Sequence, residues 1–130
     1  LLDTNTCSEH LRRRAGLTHK FVQHSGRLYL STVVLGELYT WAYHRPDPRR
    51  LLNLIEQELL GELQVLTYDT ACAERFGVER ARLLRSGMVV GPVDVMIASI
   101  ALVHDLTLVT HNTADFRNIP DLRLEDWVTP

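Results

Sequence analysis

Short apolar segments alternate along the chain with longer segments of mixed polarity. The apolar segments cover residues 1–2, 27–31, 63–68, 106–110 and 122–126. Their length and their apolar, mostly leucine and β-branched composition are typical of buried strands. Between them, apolar residues recur every three or four positions, as on one face of a helix. The alternation predicts an α/β fold, a three-layer α/β/α domain with a short, mostly parallel central sheet flanked by helices.

Helix boundary signals support this order. The predicted helices cover residues 5–14, 32–44, 47–61, 69–87 and 91–105, and the segment 18–25 is ambiguous. Boundary residues typical of helices are Ser31 as an N-cap, Pro48 and Pro92 in first turns, and Gly61 and Gly87 just past helix ends. Parallel sheets bind ligands beyond the carboxyl ends of their strands, where the strand order reverses. Residues that directly follow strands are therefore the first candidates for a site.

Composition narrows the class of protein. With 130 residues, 45% hydrophobic and 23% charged, the chain suits a single domain over residues 1–130 with a real core. No apolar run approaches the ~20 residues that span a bilayer. Cys7 and Cys72 lack metal-ligand spacing, and we interpret them as free thiols of a cytoplasmic protein. Because the chain does not start with methionine, we expect one or two residues to precede Leu1.

The basic residues are almost all arginine. Lys20 is the only lysine among 14 basic residues, and the net charge is −2. This balance argues against a strongly basic nucleic-acid coat. Arginines cluster at Arg12, Arg13 and Arg14, and again at Arg45, Arg49 and Arg50. Arginine suits bidentate phosphate contacts, although a solvated helix face and a solvated loop explain both clusters equally well.

Four acidic residues occupy positions of chemical interest. Asp3 directly follows the first strand, and Asp115 follows the strand over 106–110. Glu37 has apolar neighbours one helical turn away on either side, where a carboxylate is costly without a partner. Asp94 lies in the first turn of its helix, which favours an acid through the helix dipole. Each has an ordinary structural explanation, yet the fold would bring all four to one end of the sheet.

Converging carboxylates need a compensating charge, because unpaired they repel one another and some stay protonated. Mg²⁺ and Mn²⁺ prefer oxygen ligands and keep several waters. One or two such ions can activate a water and neutralise the charge of a phosphodiester. The sequence therefore predicts a Mg²⁺ or Mn²⁺ site at Asp3, Glu37, Asp94 and Asp115. Without these four acids the rest of the chain is slightly positive, which suits a polyanionic substrate.

The segments LLDTN, STVVLGEL, GPVDVMIASIAL, LVTHNTADF and LRLEDW occur in this order over nearly the whole chain. The ordered set resembles the PIN-domain family, and more narrowly the VapC-type toxins of bacterial toxin–antitoxin pairs. The resemblance implies a compact α/β/α ribonuclease with an acidic Mg²⁺ or Mn²⁺ site. It further implies metal-assisted cleavage of a narrow set of tRNA or rRNA sites, leaving a 5′-phosphate. Inhibition by a cognate antitoxin protein and assembly as a homodimer are also implied.

The resemblance also carries roles to individual residues. Asp3, Glu37 and Asp94 match the first three acids of the family motif, and Asp115 matches a fourth, more variable acid. Positions that orient the acids or waters in the family match Thr4, Asn5, Ser31 and Asn112. The resemblance thus implies that Asp3, Glu37 and Asp94 hold metal directly or through water, and that Asp115 completes the shell.

Other hydrolases fit the sequence less well. A phosphatase of the haloacid-dehalogenase type also starts with a strand and an aspartate, but it needs an acid at the position of Asn5 and a late lysine. The histidines form no HExxH pair for zinc. A serine hydrolase would need a GxSxG elbow, which is missing from the sequence.

A binding function is the other alternative. A PIN-fold module could act mainly as a corepressor within an antitoxin–DNA complex. The aromatic stripe around Tyr39 and Trp41, with the helix over 47–61, could form a groove for an antitoxin segment, although core packing is the favoured role of Trp41. The presence of Asp3, Glu37 and Asp94 argues for retained catalysis.

Overall fold

The computed structural model describes residues 1–13 and 16–128. The helices are α1 (Thr4–Leu11), α2 (Leu17–Gln23), α3 (Thr32–Tyr43), α4 (Arg49–Leu54), α5 (Thr70–Arg85), α6 (Pro92–Val103) and α7 (Thr113–Phe116). The strands are β1 (Tyr29–Ser31), β2 (Gln64–Leu66), β3 (Leu108–Val109) and β4 (Leu124–Glu125). Arg14, which belongs to the first arginine cluster of the sequence, lies outside the described residues.

All strand pairings of the described residues are parallel. β1 pairs with β2, with Leu30 opposite Val65, and β3 pairs with β4, with Leu108 opposite Leu124. Leu2 joins the two pairs, because it forms a parallel bridge to Leu30 on one side and to Val109 on the other. The order across the sheet is therefore β2–β1–Leu2–β3–β4, and the predicted parallel α/β sheet is confirmed.

The chain builds this sheet outward from its middle. From Leu2 it moves to β1 and β2 on one side, and it then crosses to β3 and β4 on the other side. Right-handed crossovers that run in opposite directions place their helices on opposite faces of a sheet. The strand order reverses beside Leu2, so the crevice next to its carboxyl end is the expected ligand position of such a fold.

The predicted boundaries hold at several positions. Ser31 caps α3, with its hydroxyl accepting the Val34 backbone N–H at 3.0 Å. Pro92 begins α6. The described core is built from fully buried aliphatic and aromatic side chains, among them Leu2, Leu30, Leu38, Ile100, Leu108 and Phe116. Cys7 and Cys72 are both free and buried, as predicted.

Other elements differ from the prediction. The helix expected over 47–61 is α-helical only as far as Leu54 and continues as a π-helix over Ile55–Leu60. The ambiguous segment 18–25 forms α2, and the turn expected after β3 contains the short helix α7. Each strand is shorter than its apolar segment, and the first strand consists of the single bridging residue Leu2. In the described part of the chain, no helix is both long and apolar enough to cross a membrane.

Candidate active site

Asp3 lies directly after Leu2 at the carboxyl end of the central strand position. Its backbone N–H donates to the Val109 carbonyl at 3.1 Å, which fixes it beside β3. Its side chain is 6% exposed and caps α1, with Oδ1 accepting the Thr6 N–H at 2.9 Å. In the described part of the chain no donor bonds to Oδ2. Asp3 Oδ2 is thus left for a cation or a water. Because a nearly buried carboxylate oxygen without a partner is unfavourable, burial favours such a ligand.

Glu37 lies in the middle of α3 at the edge of its buried stripe. The flanking buried residues of that stripe are Val34 and Leu38. Glu37 itself is half-buried, and its Oε1 accepts a hydrogen bond from the Thr4 hydroxyl at the start of α1. This bond joins the first turn of α1 to the middle of α3. It brings Glu37 close in space to Thr4, the residue that follows Asp3 in the sequence.

Asp94 is half-buried in the first turn of α6. Its pKa is raised, first because burial disfavours the charged form, and then because of the negative charges of Asp115, Glu37 and Asp3. The other three acids therefore all lie within electrostatic reach of Asp94. Among the described residues, none of the four forms an ion pair with a basic side chain, so their mutual repulsion is not offset from within.

Asp115 is the most exposed of these acids. It lies in the first turn of α7, after β3, and its Oδ2 accepts the Asn112 side-chain amide at 2.6 Å. The backbone N–H of Asn112 in turn donates to the Thr110 hydroxyl at 3.0 Å. The loop after β3 thus fixes Asp115 through the side chain of Asn112. Asn112 is itself fixed by the hydroxyl of Thr110, the buried residue that follows β3.

The remaining predicted supporting residues differ in placement. Ser31 is fully buried and its hydroxyl is engaged in capping α3, the helix that carries Glu37. Asn5 is exposed, and within residues 1–13 and 16–128 its side chain bonds to none of the four acids. Thr4 and Asn112 therefore contact acids directly, Ser31 positions the helix of one, and Asn5 does neither.

Two residues that sequence reasoning did not single out help to fix the acids. Thr6 gives its backbone N–H to Asp3 and is fully buried, with its hydroxyl 3.4 Å from the Val109 carbonyl. Thr110 is also fully buried and accepts from Asn112. The signal for Thr6 was its position three residues after a possible N-cap, which is where a capping aspartate finds its donor.

The chemistry of the donor set fits a hard divalent cation. All four side chains offer carboxylate oxygens, and repulsion among them favours a bound positive charge. The nearby soft ligand is withheld, because burial and the charge of Asp3 raise the pKa of the Cys7 thiol and keep it protonated. In the described residues no three Asp, Glu, His or Cys side chains are placed to ligate one ion together. Mg²⁺ commonly uses one or two carboxylates and several waters, which this arrangement can supply.

Comparisons with known proteins agree with the fold described above. The PIN domain family model matches residues 1–122. The tRNA(fMet)-specific endonuclease VapC of Salmonella typhimurium is 40% identical over 98% of this chain and 96% of its own length. Ribonuclease VapC2 of Haemophilus influenzae is 33% identical over 98% and 97% of the two chains.

Solved structures show the same likeness. In the crystal structure of DNA-bound VapBC from Salmonella typhimurium, one chain superposes with a TM-score of 0.91 at 38% identity, over 97% of this chain and 96% of that one. VapBC2 from Rickettsia felis, bound to a DNA fragment from its promoter, gives a TM-score of 0.90 at 26% identity, with the same coverage.

The chain therefore belongs to the PIN-domain family of nucleases, whose members are typically metal-dependent. Within that family its place is among the VapC endoribonucleases, the toxins of VapBC toxin–antitoxin systems. The fold class, the family and the ribonuclease function expected from the sequence are confirmed.

Proposed function

We propose that the chain is a Mg²⁺- or Mn²⁺-dependent endoribonuclease whose metal site is formed by Asp3, Glu37, Asp94 and Asp115. The proposal is supported by position, because Asp3 directly follows the central bridging residue Leu2, Glu37 bonds to Thr4 next to Asp3, and Asp115 follows β3. The pKa of Asp94, raised first by burial and then by the charges of the other three acids, agrees with this placement. A carboxylate cluster without basic partners is unfavourable unless an external cation completes it. Its position beside the reversal of strand order is the ordinary ligand position of this fold class.

The protein's contribution to the reaction is to hold these oxygens in place. Asp3 is fixed by the Thr6 N–H, Glu37 by the Thr4 hydroxyl and Asp115 by the Asn112 amide. Asp94 is placed by the first turn of α6, which packs against α5. Because three of the four acids have a bond to a neighbouring group, they need little rearrangement when a substrate phosphate arrives.

A bound divalent cation lowers the pKa of a coordinated water and neutralises charge on the phosphodiester. The proposed reaction is hydrolysis. A water oxygen forms a bond to phosphorus, the bond from phosphorus to the 3′-oxygen breaks, and the leaving oxygen takes up a proton. The products are a 5′-phosphate and a 3′-hydroxyl. Asp3, Glu37 and Asp94 would hold the cation directly or through water, and Asp115 would complete the shell.

For the substrate we propose initiator tRNA. The support comes from relatives, since VapC proteins of Salmonella typhimurium and Shigella flexneri are both named tRNA(fMet)-specific endonucleases, at 40% and 39% identity over nearly the whole chain. A ribosomal RNA target is the competing possibility, and the sequence of the cleaved ends distinguishes the two.

The test is cleavage of total RNA and of purified initiator tRNA with Mg²⁺, with Mn²⁺ and with EDTA. We expect cleavage only with a divalent ion, and loss of cleavage in Asp3→Asn. The matched control is Asp121→Asn, which removes one exposed carboxylate at a residue with φ of 67°, a conformation that asparagine tolerates. Cleavage that persists in Asp3→Asn, or in EDTA, would contradict the proposed site.

We also propose that the chain forms a complex with a cognate antitoxin and a homodimer with itself. The support is that the Salmonella and Rickettsia neighbours are VapBC complexes bound to DNA. Co-expression with the product of an adjacent small reading frame should yield a co-purifying complex that does not cleave RNA. Light scattering of the free protein measures its oligomeric state, and a monomer would refute the dimer alone.

A further inference from the structure

A second cavity-forming surface lies beyond the acidic site. It has a volume of about 550 Å³, which is within the range of about 300–1,000 Å³ seen for small-molecule sites. Its walls come from the end of α1, the end of α3 and the start of α4. We call it the arginine pocket, after the residues that give it its character: Arg12, Arg13, Arg45, Arg50, Trp41 and Leu51.

The charge of the arginine pocket is positive and only partly neutralised. Arg13 pairs with Glu58 at 2.8 Å, and the one lining acid, Asp47, is engaged at 3.1 Å by Arg49 from outside the lining. Arg45 and Arg50 are exposed and, in the part of the chain that the structure describes, neither forms an ion pair. The pocket thus presents two uncompensated guanidinium groups, which suit an anionic ligand.

The aromatic wall gives the pocket a second kind of contact. Trp41 is half-buried, and the Arg12 guanidinium carbon lies 5.0 Å from the centroid of its ring. Sites for single-stranded nucleic acid combine these features, because phosphates follow cationic side chains while bases stack on aromatic rings or guanidinium planes. An acidic peptide would use the arginines but would gain little from the stacked Trp41.

The pocket and the acidic site lie along the same two helices, α1 and α3. Thr4 bonds to Glu37 near the start of α1, and Arg12 stacks on Trp41 just past its end. On α3, Trp41 follows Glu37 by one helical turn and so lies on the same face, about 6 Å further along the axis. A strand of RNA with a phosphate at the acids therefore has its neighbouring nucleotides within reach of the pocket.

We propose that the arginine pocket holds a nucleotide of the RNA substrate next to the scissile bond, with its phosphate on Arg45 and Arg50 and its base against Trp41. This inference rests on the proposed ribonuclease function and adds a substrate subsite to it. It also separates the arginines of the sequence clusters, because Arg50 lines the pocket whereas Arg49 is engaged by Asp47.

The test is binding of a fluorescein-labelled single-stranded RNA of about 12 nucleotides, a length within the known range of single-strand sites, in EDTA so that no cleavage occurs. In Arg45→Gln/Arg50→Gln we expect about tenfold weaker binding. The slope of log Kd against log salt concentration should fall by about 0.7, since the two arginines hold one phosphate and each phosphate contact contributes about 0.7 for single strands. Trp41→Leu should weaken binding about tenfold without changing the salt slope, and Trp41→Phe should retain most of the affinity.

The control is Arg85→Gln, which removes an exposed arginine at the end of α5 that does not line the pocket. Circular dichroism of each variant checks folding. If Arg45→Gln/Arg50→Gln binds RNA as tightly as Arg85→Gln does, the inference is overturned. If the double variant in addition binds the antitoxin more weakly, the pocket is assigned to an acidic protein segment instead. Because binding is read without metal, a failure of the ribonuclease proposal shows separately, as no cleavage by any variant when Mg²⁺ is added.

Discussion

Two nearly buried carboxylates in this protein differ in whether a basic side chain pairs with them. Glu79 on α5 is 1% exposed, and both of its oxygens contact Arg82 Nη1, at 2.6 and 3.0 Å, with Arg75 Nε at 3.9 Å. Asp3 is 6% exposed and has one backbone N–H for a partner, with no basic side chain in the described residues. Glu79 thus brings its counter-charge within its own helix, whereas Asp3 does not.

The difference distinguishes a structural acid from a functional one. Burying an ionised carboxylate is costly, and a paired guanidinium offsets that cost permanently. The four proposed metal ligands have no such guanidinium partner among the described residues, and burial together with the charges of the other three acids raises the pKa of Asp94. Carboxylates without basic partners favour the binding of an external cation, because the bound cation offsets the repulsion among them.

The largest contrast should appear in activity. Asp3→Asn should lower the rate of RNA cleavage at least about 100-fold, more than the loss of an outer-shell partner of a metal ligand. Glu79→Gln should leave kcat unchanged per folded molecule, because Glu79 lies outside the acid cluster. Single-turnover cleavage, normalised to the folded fraction from circular dichroism, measures both. Equal losses in the two variants would remove the distinction.

Stability should show the reverse order. Glu79→Gln should lower the free energy of unfolding by about 2 kcal/mol, because it leaves Arg82 without its charged partner and an amide buried with poorer bonds. Asp3→Asn should cost less, since an asparagine oxygen still caps α1. Urea unfolding in EDTA gives both values. A larger loss in Asp3→Asn would mean that Asp3 is primarily structural.

Mg²⁺ should stabilise the protein fully only when all four acids of the proposed site are present. At Mg²⁺ concentrations about 100 times Kd, the wild-type protein should gain about 2.7 kcal/mol of unfolding free energy, with a matching rise in Tm. Glu79→Gln should gain the same amount, and Asp94→Asn much less. Thermal melts with and without EDTA measure the gain. If the Tm of the wild-type protein is the same with and without Mg²⁺, in buffer free of Ca²⁺, the result would count against a cation bound at this site.

The smallest effect concerns the protein without metal. The folded-state pKa of Asp94 is raised above its unfolded value of 3.8, so its charge destabilises the fold at neutral pH. That penalty disappears as the pH falls through the raised pKa. In EDTA, Asp94→Asn should therefore be more stable than wild type at pH 7, by less than the differences predicted above. The gap should close on acidification, as urea unfolding at several pH values would show.

Sequence patterns predicted the parallel sheet, the main helices and the acids that the fold brings together. Glu37 stood out because it interrupts an apolar stripe, and Asp3 because it follows a strand and begins a helix. Glu79 gave no such signal, since Arg75 and Arg82 at i−4 and i+3 look like a solvated ion-pair face. Glu79 is nevertheless 1% exposed, on a helix that packs against α6.

Other features depend on partners that no local pattern contains. The contact of the Thr6 hydroxyl with the Val109 carbonyl, for example, joins α1 to β3, 103 residues further along the chain. The short strands end where their cross-sheet partners end, so the apolar segments overstate their length. The arginine pocket likewise joins Arg12 and Arg50, which are distant in sequence and meet because α1 and α4 both lie beside α3.

Leu2 gives the molecule a built-in coupling between folding and toxicity. Among the described residues, it is the one that bridges the β1–β2 and β3–β4 ladders, and Asp3 follows it directly in the sequence. Glu37 belongs to the first ladder's side, whereas Asp94 and Asp115 flank β3. Neither ladder alone carries a complete set of acids. Under the proposed metal site, a partly folded chain therefore lacks a complete set of ligands, and we expect nuclease activity only after the two halves of the sheet have paired through Leu2.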